Sequence, residues 1–225
     1  MTNIKDNLDT IELQILHASQ QANRSASDVK LLAVSKTKPV EDLLAAYHAG
    51  QRMFGENYVQ EGVEKVQQMS DLQDIEWHFI GPIQSNKTKA IAEHFHWVHS
   101  VDREKIITRL NEHRATQDTP LNVCLQVNIS EEESKSGVTA EQVFDLLPLI
   151  EASSHLTFRG LMAIPAKIDV EQSFSKMKAL FEQVKTISPT ADTLSMGMSG
   201  DMSLAIANGS TMVRVGTAIF GARNK

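Results

Sequence analysis

The chain has 225 residues, of which 41% are hydrophobic, and a formal net charge of −6. This size and composition favour one large α/β domain or barrel over two packed domains, and the dispersed negative charge argues against a surface for nucleic acid or an anionic membrane. The single Cys124 excludes an intramolecular disulfide framework, and no apolar run is long enough for a membrane helix. Because residues 1–14 are too charged for a signal peptide, we expect a cytoplasmic protein.

The first predicted element is a helix over residues 2–22, because Ile4, Leu8, Ile11 and Ile15 recur at helical spacing. Eight short runs typical of buried strands follow, with turn residues between them. In chain order, these strands are predicted at 31–36, 52–57, 76–80, 97–101, 122–128, 158–164, 193–197 and 212–216. Each strand precedes a segment with helical periodicity or a helix-start signal.

Regular alternation of strands and helices requires parallel strands joined by helical crossovers. Eight such units predict an α/β fold: a single closed (β/α)8 barrel of the TIM type that spans residues 1–225 and carries an extra N-terminal helix. The alternative is a doubly wound open sheet. That fold would need a glycine-rich dinucleotide loop after the first strand, and residues 35–39 (SKTKP) are not such a loop.

The predicted first strand ends on Lys36, and Pro39 prevents the strand from continuing. A lysine at this position has its four-carbon stem in apolar surroundings, where desolvation and the charge of Lys38 both disfavour the ammonium form. A partly neutral amine is what Schiff-base chemistry with a carbonyl compound requires. The alternative is that Lys36 only extends from the strand end into solvent.

Functional groups of a barrel gather at the carboxyl ends of its strands. Asn57 ends the predicted second strand, and Arg214 lies within the eighth. On the fifth strand, alternation places Cys124, Gln126 and Asn128 on one face, and we expect this polar face to point into the barrel. A polar interior is tolerable near a solvated mouth, or where ligands and partner groups satisfy its polar atoms.

Two segments after the seventh and eighth strands have the composition of a phosphate site. Residues 195–201 (SMGMSGD) run through two glycines into a helix start, and residues 214–221 (RVGTAIFG) add further amides and a threonine hydroxyl. Barrels frequently bind phosphate at this location, although a Gly/Ser turn taken alone is more often only a turn. A lysine and a phosphate site together indicate a phosphorylated aldehyde, and pyridoxal 5′-phosphate (PLP) is the prime candidate.

Six blocks of the sequence, spread over nearly the whole chain, form a recognisable set. They are 34–38 (VSKTK), 54–61 (FGENYVQE), 78–87 (HFIGPIQSNK), 159–162 (RGLM), 194–199 (LSMGMS) and 213–221 (VRVGTAIFG). Together they resemble the pyridoxal phosphate homeostasis protein family. The resemblance implies a single barrel like the N-terminal domain of alanine racemase.

The resemblance implies a cofactor site made of Lys36, Asn57, Ser199, Arg214, Gly216 and Thr217. It implies a Schiff base between PLP and Lys36, with Asn57 near the ring and Arg214 against the pyridine nitrogen. The other three residues are implied to surround the phosphate. Gly200 departs from the family pattern, which usually has an acidic residue there, and an added glycine loosens a helix start. No metal site is expected, because the histidines at 94, 96 and 99 lack a clustered carboxylate or thiolate.

The resemblance further implies a protein that holds PLP for vitamin B6 homeostasis, without appreciable turnover. Arg214 fits this role, because a permanent cation beside the pyridine nitrogen disfavours ring protonation and weakens the ring as an electron sink. The alternatives are a PLP-dependent amino-acid racemase or related enzyme, and a Schiff-base aldolase acting on a sugar phosphate. A racemase of this fold takes its second base, a tyrosine, from another domain across a dimer, and the only tyrosines here are Tyr47 and Tyr58. We expect a monomer whose partners are PLP and PLP-dependent apoenzymes, with neither nucleic acid nor membrane among them.

Overall fold

A barrel of eight parallel strands forms the centre of the computed structural model, which describes residues 3–132 and 135–222. The strands are Lys30–Val34 (β1), Met53–Glu56 (β2), Glu76–Phe79 (β3), Trp97–Val101 (β4), Leu121–Val127 (β5), Leu156–Ala163 (β6), Thr193–Ser195 (β7) and Met212–Val215 (β8). Consecutive strands pair in order, and β8 closes on β1 with Arg214 beside Leu32. The predicted TIM-type barrel is confirmed, and the open-sheet alternative is wrong because β8 pairs with β1 and the sheet that the described residues form has no edge strand.

The helices alternate with the strands. In the part of the chain that the structure describes, they are Ile4–Gln21 (α1), Val40–His48 (α2), Val59–Gln68 (α3), Thr88–His94 (α4), Glu104–Arg114 (α5), Ala140–Glu151 (α6), Val170–Ile187 (α7), Met202–Ala207 (α8) and Thr217–Phe220 (α9), with 3-10 turns at Ala26–Asp28 and Ser85–Lys87. The predicted N-terminal helix is present as α1, although residue 2 of the predicted range lies outside the described residues. It packs against α8 and α9, and the Asn7 side-chain amide donates to the Ile219 carbonyl oxygen at 2.8 Å.

The end of β1 differs from the sequence prediction, and the difference changes the position of Lys36. β1 ends at Val34, so Lys36 lies in the following turn rather than on the last residue of the strand. Thr37 has a φ of +63°, and the backbone N–H of Lys38 donates to the Ser35 carbonyl oxygen at 3.0 Å. Because a left-handed residue cannot continue a ladder, the chain leaves the barrel here and turns across its mouth.

Most other strand boundaries shift by one or two residues. β7 ends at Ser195 instead of residue 197, because Gly197 adopts a φ of +97° that only glycine takes without strain. β5 begins and ends one residue earlier than predicted, so Asn128 follows the strand instead of ending it. Only β4 has its predicted bounds.

The barrel wall separates two buried regions. The larger one is apolar, lies between the strands and the helices, and includes Phe54 and Phe79. The smaller one lies inside the barrel and contains Trp97, Cys124 and Met162. Cys124 therefore faces the interior as the alternation predicted, where burial raises the pKa of its thiol and the charges of Arg159 and, to a lesser extent, Arg214 oppose that rise.

The rest of the predicted polar face of β5 lies at the mouth. Gln126 is half-buried and lines a cavity there, and the Asn128 side-chain amide donates to the Glu132 carbonyl oxygen at 2.8 Å. No helix among the described residues has the length and apolar composition needed to cross a bilayer. The same residues hold no group of three or more histidine, cysteine, aspartate or glutamate side chains placed to bind a metal ion.

Candidate functional site

A cavity of about 300 Å³ opens at the carboxyl ends of the strands. All six residues predicted for the cofactor site line it, namely Lys36, Asn57, Ser199, Arg214, Gly216 and Thr217. Ile80, Ile164 and Met198 contribute apolar side chains to the same wall. Barrel closure therefore brings residues from opposite ends of the sequence into one concave site.

Lys36 and Lys38 belong to the same turn but have different surroundings. Lys36 is half-buried and lines the cavity. The Lys38 ammonium donates to the carbonyl oxygens of Phe220 at 2.9 Å and Ala222 at 2.8 Å. Lys38 thus ties the turn to the segment after α9, and Lys36 is the lysine of this turn that lines the cavity.

A buried ion-pair cluster, formed by Glu56, Glu61 and Lys65, lies beneath this turn. The Lys65 ammonium donates to Glu56 Oε1 at 2.9 Å and to Glu61 Oε1 at 2.6 Å. It also donates to the Ser35 carbonyl oxygen at 2.8 Å, and the Ser35 hydroxyl donates to Glu56 Oε1 at 2.6 Å. The backbone N–H of Thr37 donates to Glu61 Oε1 at 2.6 Å. The residues on both sides of the site lysine are therefore held by one network.

The ion-pair cluster was missed by sequence reasoning, although Glu61 and Lys65 have the i,i+4 spacing of a helical salt bridge. Burial raises the pKa of Glu56, and the charge and hydrogen bond of Lys65 oppose this rise by favouring the carboxylate. The Lys65 ammonium is the buried cation that compensates this carboxylate, because the two side chains are 5% and 0% exposed.

Replacement of Lys65 by methionine is expected to lower the free energy of unfolding by about 3–5 kcal/mol, because it leaves the buried Glu56 charge uncompensated. Urea denaturation followed by tryptophan fluorescence measures the change. The matched control is Lys89→Met, which removes an exposed i,i+4 pair with Glu93 and should cost about 0.5 kcal/mol or less. Similar losses in the two variants would show that the ion-pair cluster does not stabilise the fold.

Asn57 follows β2 and lines the cavity, and its side chain carries a buried acceptor. Its Oδ1 atom has no hydrogen-bond partner among the described residues. The backbone of Gly81 lies against Asn57, so close that a Cβ on Gly81 would come within 2.0 Å of the Asn57 carbonyl oxygen. Because an unpaired buried acceptor costs about 1–3 kcal/mol, a donor on a ligand in the cavity would be stabilising here.

Ser199 lies in a closed turn between β7 and α8. The backbone N–H of Met198 donates to Asp201 Oδ1 at 2.6 Å, and the backbone N–H of Asp201 donates to the Met198 carbonyl oxygen at 3.1 Å. A Cβ added to Gly200 would meet no atom within 4 Å. Asp201 therefore closes the turn that contains Ser199. Gly200, which departs from the family pattern, does not prevent this closure.

Gly216 and Thr217 lead from β8 into the short helix α9. The backbone N–H groups of Ile219 and Phe220 both donate to the Gly216 carbonyl oxygen at 2.9 Å. A Cβ on Gly216 would lie 2.9 Å from the Val34 carbonyl oxygen, so glycine allows the start of α9 to pack against the end of β1. The first amides of a helix have no partner within it, and with the Thr217 hydroxyl they suit an anion.

Arg214 presents a fixed cation to the cavity. Its guanidinium donates to the Ser195 carbonyl oxygen at 2.7 Å, the Ser195 hydroxyl at 2.8 Å and the Ala163 carbonyl oxygen at 2.9 Å. Burial lowers the pKa of Arg214 to about 10, so the group remains charged at neutral pH. These bonds reach from β8 to β6 and β7 and hold the guanidinium in one orientation.

Comparison with known proteins assigns the chain to a family. The family model described as the alanine racemase N-terminal domain matches residues 7–224. The pyridoxal phosphate homeostasis protein of Pasteurella multocida is 59% identical over 228 residues, which cover 98% of each chain. The chain belongs to the pyridoxal phosphate homeostasis protein family. This assignment confirms the resemblance predicted from the six sequence blocks.

Solved structures similar to this chain share the whole barrel. Structures of PipY from Synechococcus elongatus, 34% identical, were determined without PLP and with PLP bound. They align over 97% of this chain and 100% of PipY, with TM-scores of 0.86 and 0.82. Alanine racemase from Corynebacterium glutamicum, 17% identical, aligns with a TM-score of 0.68 over 97% of this chain and 62% of the racemase. At that identity, the likeness to the racemase concerns the fold alone.

Proposed function

We propose that this chain binds PLP in the cavity at the barrel mouth, linked covalently through Lys36, and serves PLP homeostasis without appreciable turnover. The observation that carries the proposal is that all six predicted residues line one cavity of about 300 Å³. The name of the Pasteurella multocida relative and the PLP-bound structure of PipY support the same ligand. We further propose a single-domain cytoplasmic monomer that supplies PLP to PLP-dependent apoenzymes.

The residues of the cavity fit the chemical groups of PLP. The cofactor supplies an aldehyde that condenses with a primary amine, and Lys36 is a lysine that lines the cavity. The amides and hydroxyls of Ser199, Gly216 and Thr217 suit a phosphate, since hydrogen bonds to a charged oxygen are about twice as strong as neutral ones. The unpartnered Oδ1 of Asn57 offers an acceptor to the same ligand.

The charges around the cavity favour holding the cofactor over catalytic turnover. Arg214 stays cationic at neutral pH, and a cation at the pyridine nitrogen keeps that nitrogen unprotonated. Among the described residues that line the cavity, Lys36 is the side chain suited to accept a proton, because neither Tyr47 nor Tyr58 lines this cavity. Racemisation needs a second such group on the opposite face of the substrate, so we propose that the site holds PLP and does not racemise amino acids.

Addition of PLP to the purified protein, followed by gel filtration to remove free cofactor, tests the binding proposal. We expect a visible absorption band that stays with the protein, and we expect none with a sugar phosphate, which has no such chromophore. Protein that emerges without the band would overturn the assignment of PLP. A trapped sugar phosphate without PLP binding would instead support the aldolase alternative.

Incubation of the PLP-loaded protein with L-alanine in deuterated buffer tests the absence of turnover. We expect slow hydrogen exchange at Cα with retention of configuration, because Lys36 acts from one face only. Proton NMR gives the exchange rate and chiral chromatography gives the configuration. Racemisation at about 1 s⁻¹ or faster would make the chain an enzyme and establish the racemase alternative.

A further inference from the structure

A line of hydrogen-bonded side chains crosses the barrel interior from the cavity to the opposite end. The Arg214 guanidinium lies 2.8 Å from Ser195 Oγ, which lies 2.9 Å from Nδ1 of His99. Nε2 of His99 lies 2.9 Å from Nδ1 of His78, whose Nε2 lies 3.0 Å from Glu76 Oε1. Both histidines and Ser195 are fully buried, whereas the Glu76 side chain is 40% exposed at the amino end of β3. We call these five residues the interior line.

The two ends of the interior line determine the direction of its first and last bonds. A guanidinium can only donate, so Ser195 Oγ accepts from Arg214. Although burial raises it, the hydrogen bond from His78 lowers the pKa of Glu76 to about 2, and an ionised carboxylate can only accept. His78 therefore carries a proton on Nε2.

The middle of the interior line follows from the neutrality of its imidazoles. Burial lowers the pKa of His78 and of His99, so each ring holds one proton at neutral pH. Nδ1 of His78 must then accept a hydrogen bond from Nε2 of His99, and Nδ1 of His99 must accept one from the Ser195 hydroxyl. Every donor points away from the cavity and toward Glu76.

We propose that His99, supported by His78 and Glu76, is a positioning residue for Arg214. By accepting the hydrogen bond from the Ser195 hydroxyl, His99 turns an oxygen lone pair toward the guanidinium. If the hydroxyl proton pointed toward Arg214 instead, the 2.8 Å hydrogen bond would be lost. The interior line thus maintains one of the three hydrogen bonds that orient the cation facing the cavity. The effect of the interior line on PLP binding rests on the proposed function, whereas the direction of its hydrogen bonds does not.

Nitrogen-15 NMR of the protein at neutral pH, without added PLP, tests the direction of the interior line. We expect a protonated Nε2 and an unprotonated Nδ1 for both His78 and His99, assigned by comparison with His99 variants. A proton on Nδ1 of either ring would reverse a bond that the proposal requires. That result would overturn the positioning role whether or not the protein binds PLP.

Two substitutions of His99 separate positioning from packing. Asparagine keeps an acceptor near the former Nδ1 and so keeps the bond from Ser195, whereas glutamine reaches the former Nε2 and keeps only the contact with His78. We expect His99→Gln to weaken PLP binding about tenfold and to shift the visible band, and His99→Asn to stay within about threefold of the parent. Packing alone predicts the opposite order, because glutamine fills more of the histidine volume.

Met162→Leu is the matched control, because Met162 is buried in the same interior but does not belong to the interior line. We expect its PLP affinity to stay within about threefold of the parent. If His99→Gln does not fold, Ser195→Ala removes the same link and is expected to weaken binding about tenfold. Parent-like affinity and spectrum in His99→Gln or in Ser195→Ala would overturn the proposal. A parent that binds no PLP counts against the proposed function, and the NMR measurement then decides the interior line by itself.

Discussion

Borohydride reduction of the PLP-saturated protein is expected to leave a stable pyridoxyl group on Lys36 and none on Lys38. Lys36 lines the cavity, whereas the Lys38 ammonium is bound to two carbonyl oxygens beside α9. The reaction needs an uncharged amine near the aldehyde, and only the first of these lysines lies at the cavity. Peptide mass mapping identifies the modified residue.

Lys36→Ala is expected to abolish the adduct completely while the barrel stays folded. The turn keeps its shape in this variant, because the bonds of Ser35 and Thr37 to the ion-pair cluster do not involve the Lys36 side chain. PLP is then held only without a covalent link. The matched control is Lys38→Ala, which should keep the adduct on Lys36. Labelling of any other lysine in the parent, with Lys36 unmodified, would contradict the assignment.

The combined substitution Ser199→Ala and Thr217→Ala is expected to weaken PLP binding by a few hundred-fold or more. Both residues line the cavity, and each hydrogen bond to a charged oxygen contributes about 1.5–3 kcal/mol. Equilibrium titration followed by the absorption of bound PLP gives the dissociation constants. At saturating PLP, the covalent link to Lys36 should still form, because the substitutions leave the lysine turn unchanged.

Unphosphorylated pyridoxal provides the ligand control for this double variant. We expect pyridoxal to bind the parent poorly and to bind the double variant equally poorly, because it has no phosphate to lose contacts. Ser203→Ala, an exposed serine on the neighbouring α8, is the matched control variant and should bind PLP like the parent. Equal affinity of the parent for pyridoxal and PLP would exclude Ser199 and Thr217 from phosphate binding.

Local sequence patterns by themselves determined the architecture of this protein. The alternation of apolar strand runs with helical segments predicted the eight-stranded barrel, because both signals arise from residues close together in the chain. Lys36, Asn57 and Arg214 could be named as neighbours in advance, since the carboxyl ends of parallel strands meet at one mouth. The roles of these residues came from the family resemblance, because composition and spacing do not indicate them.

Local conformation corrected the position of the site lysine. The sequence predicted a strand through Lys36, but the left-handed Thr37 and the bond between Lys38 and Ser35 place it in a turn. The apolar run 31–34 does not indicate this turn, because the turn is stabilised by side chains of β2 and α3. Glu56 and Lys65 are separated from the turn in sequence and meet it only in the folded barrel.

Only the tertiary structure revealed the interior line. Its bonds join β3 to β4, β4 to β7 and β7 to β8, and His99 and Ser195 are 96 residues apart. The sequence of a strand does not indicate which residue a polar side chain contacts, because barrel closure decides which residues face each other across the interior. Burial then makes the partner necessary, since a polar group removed from water without a hydrogen bond destabilises the fold.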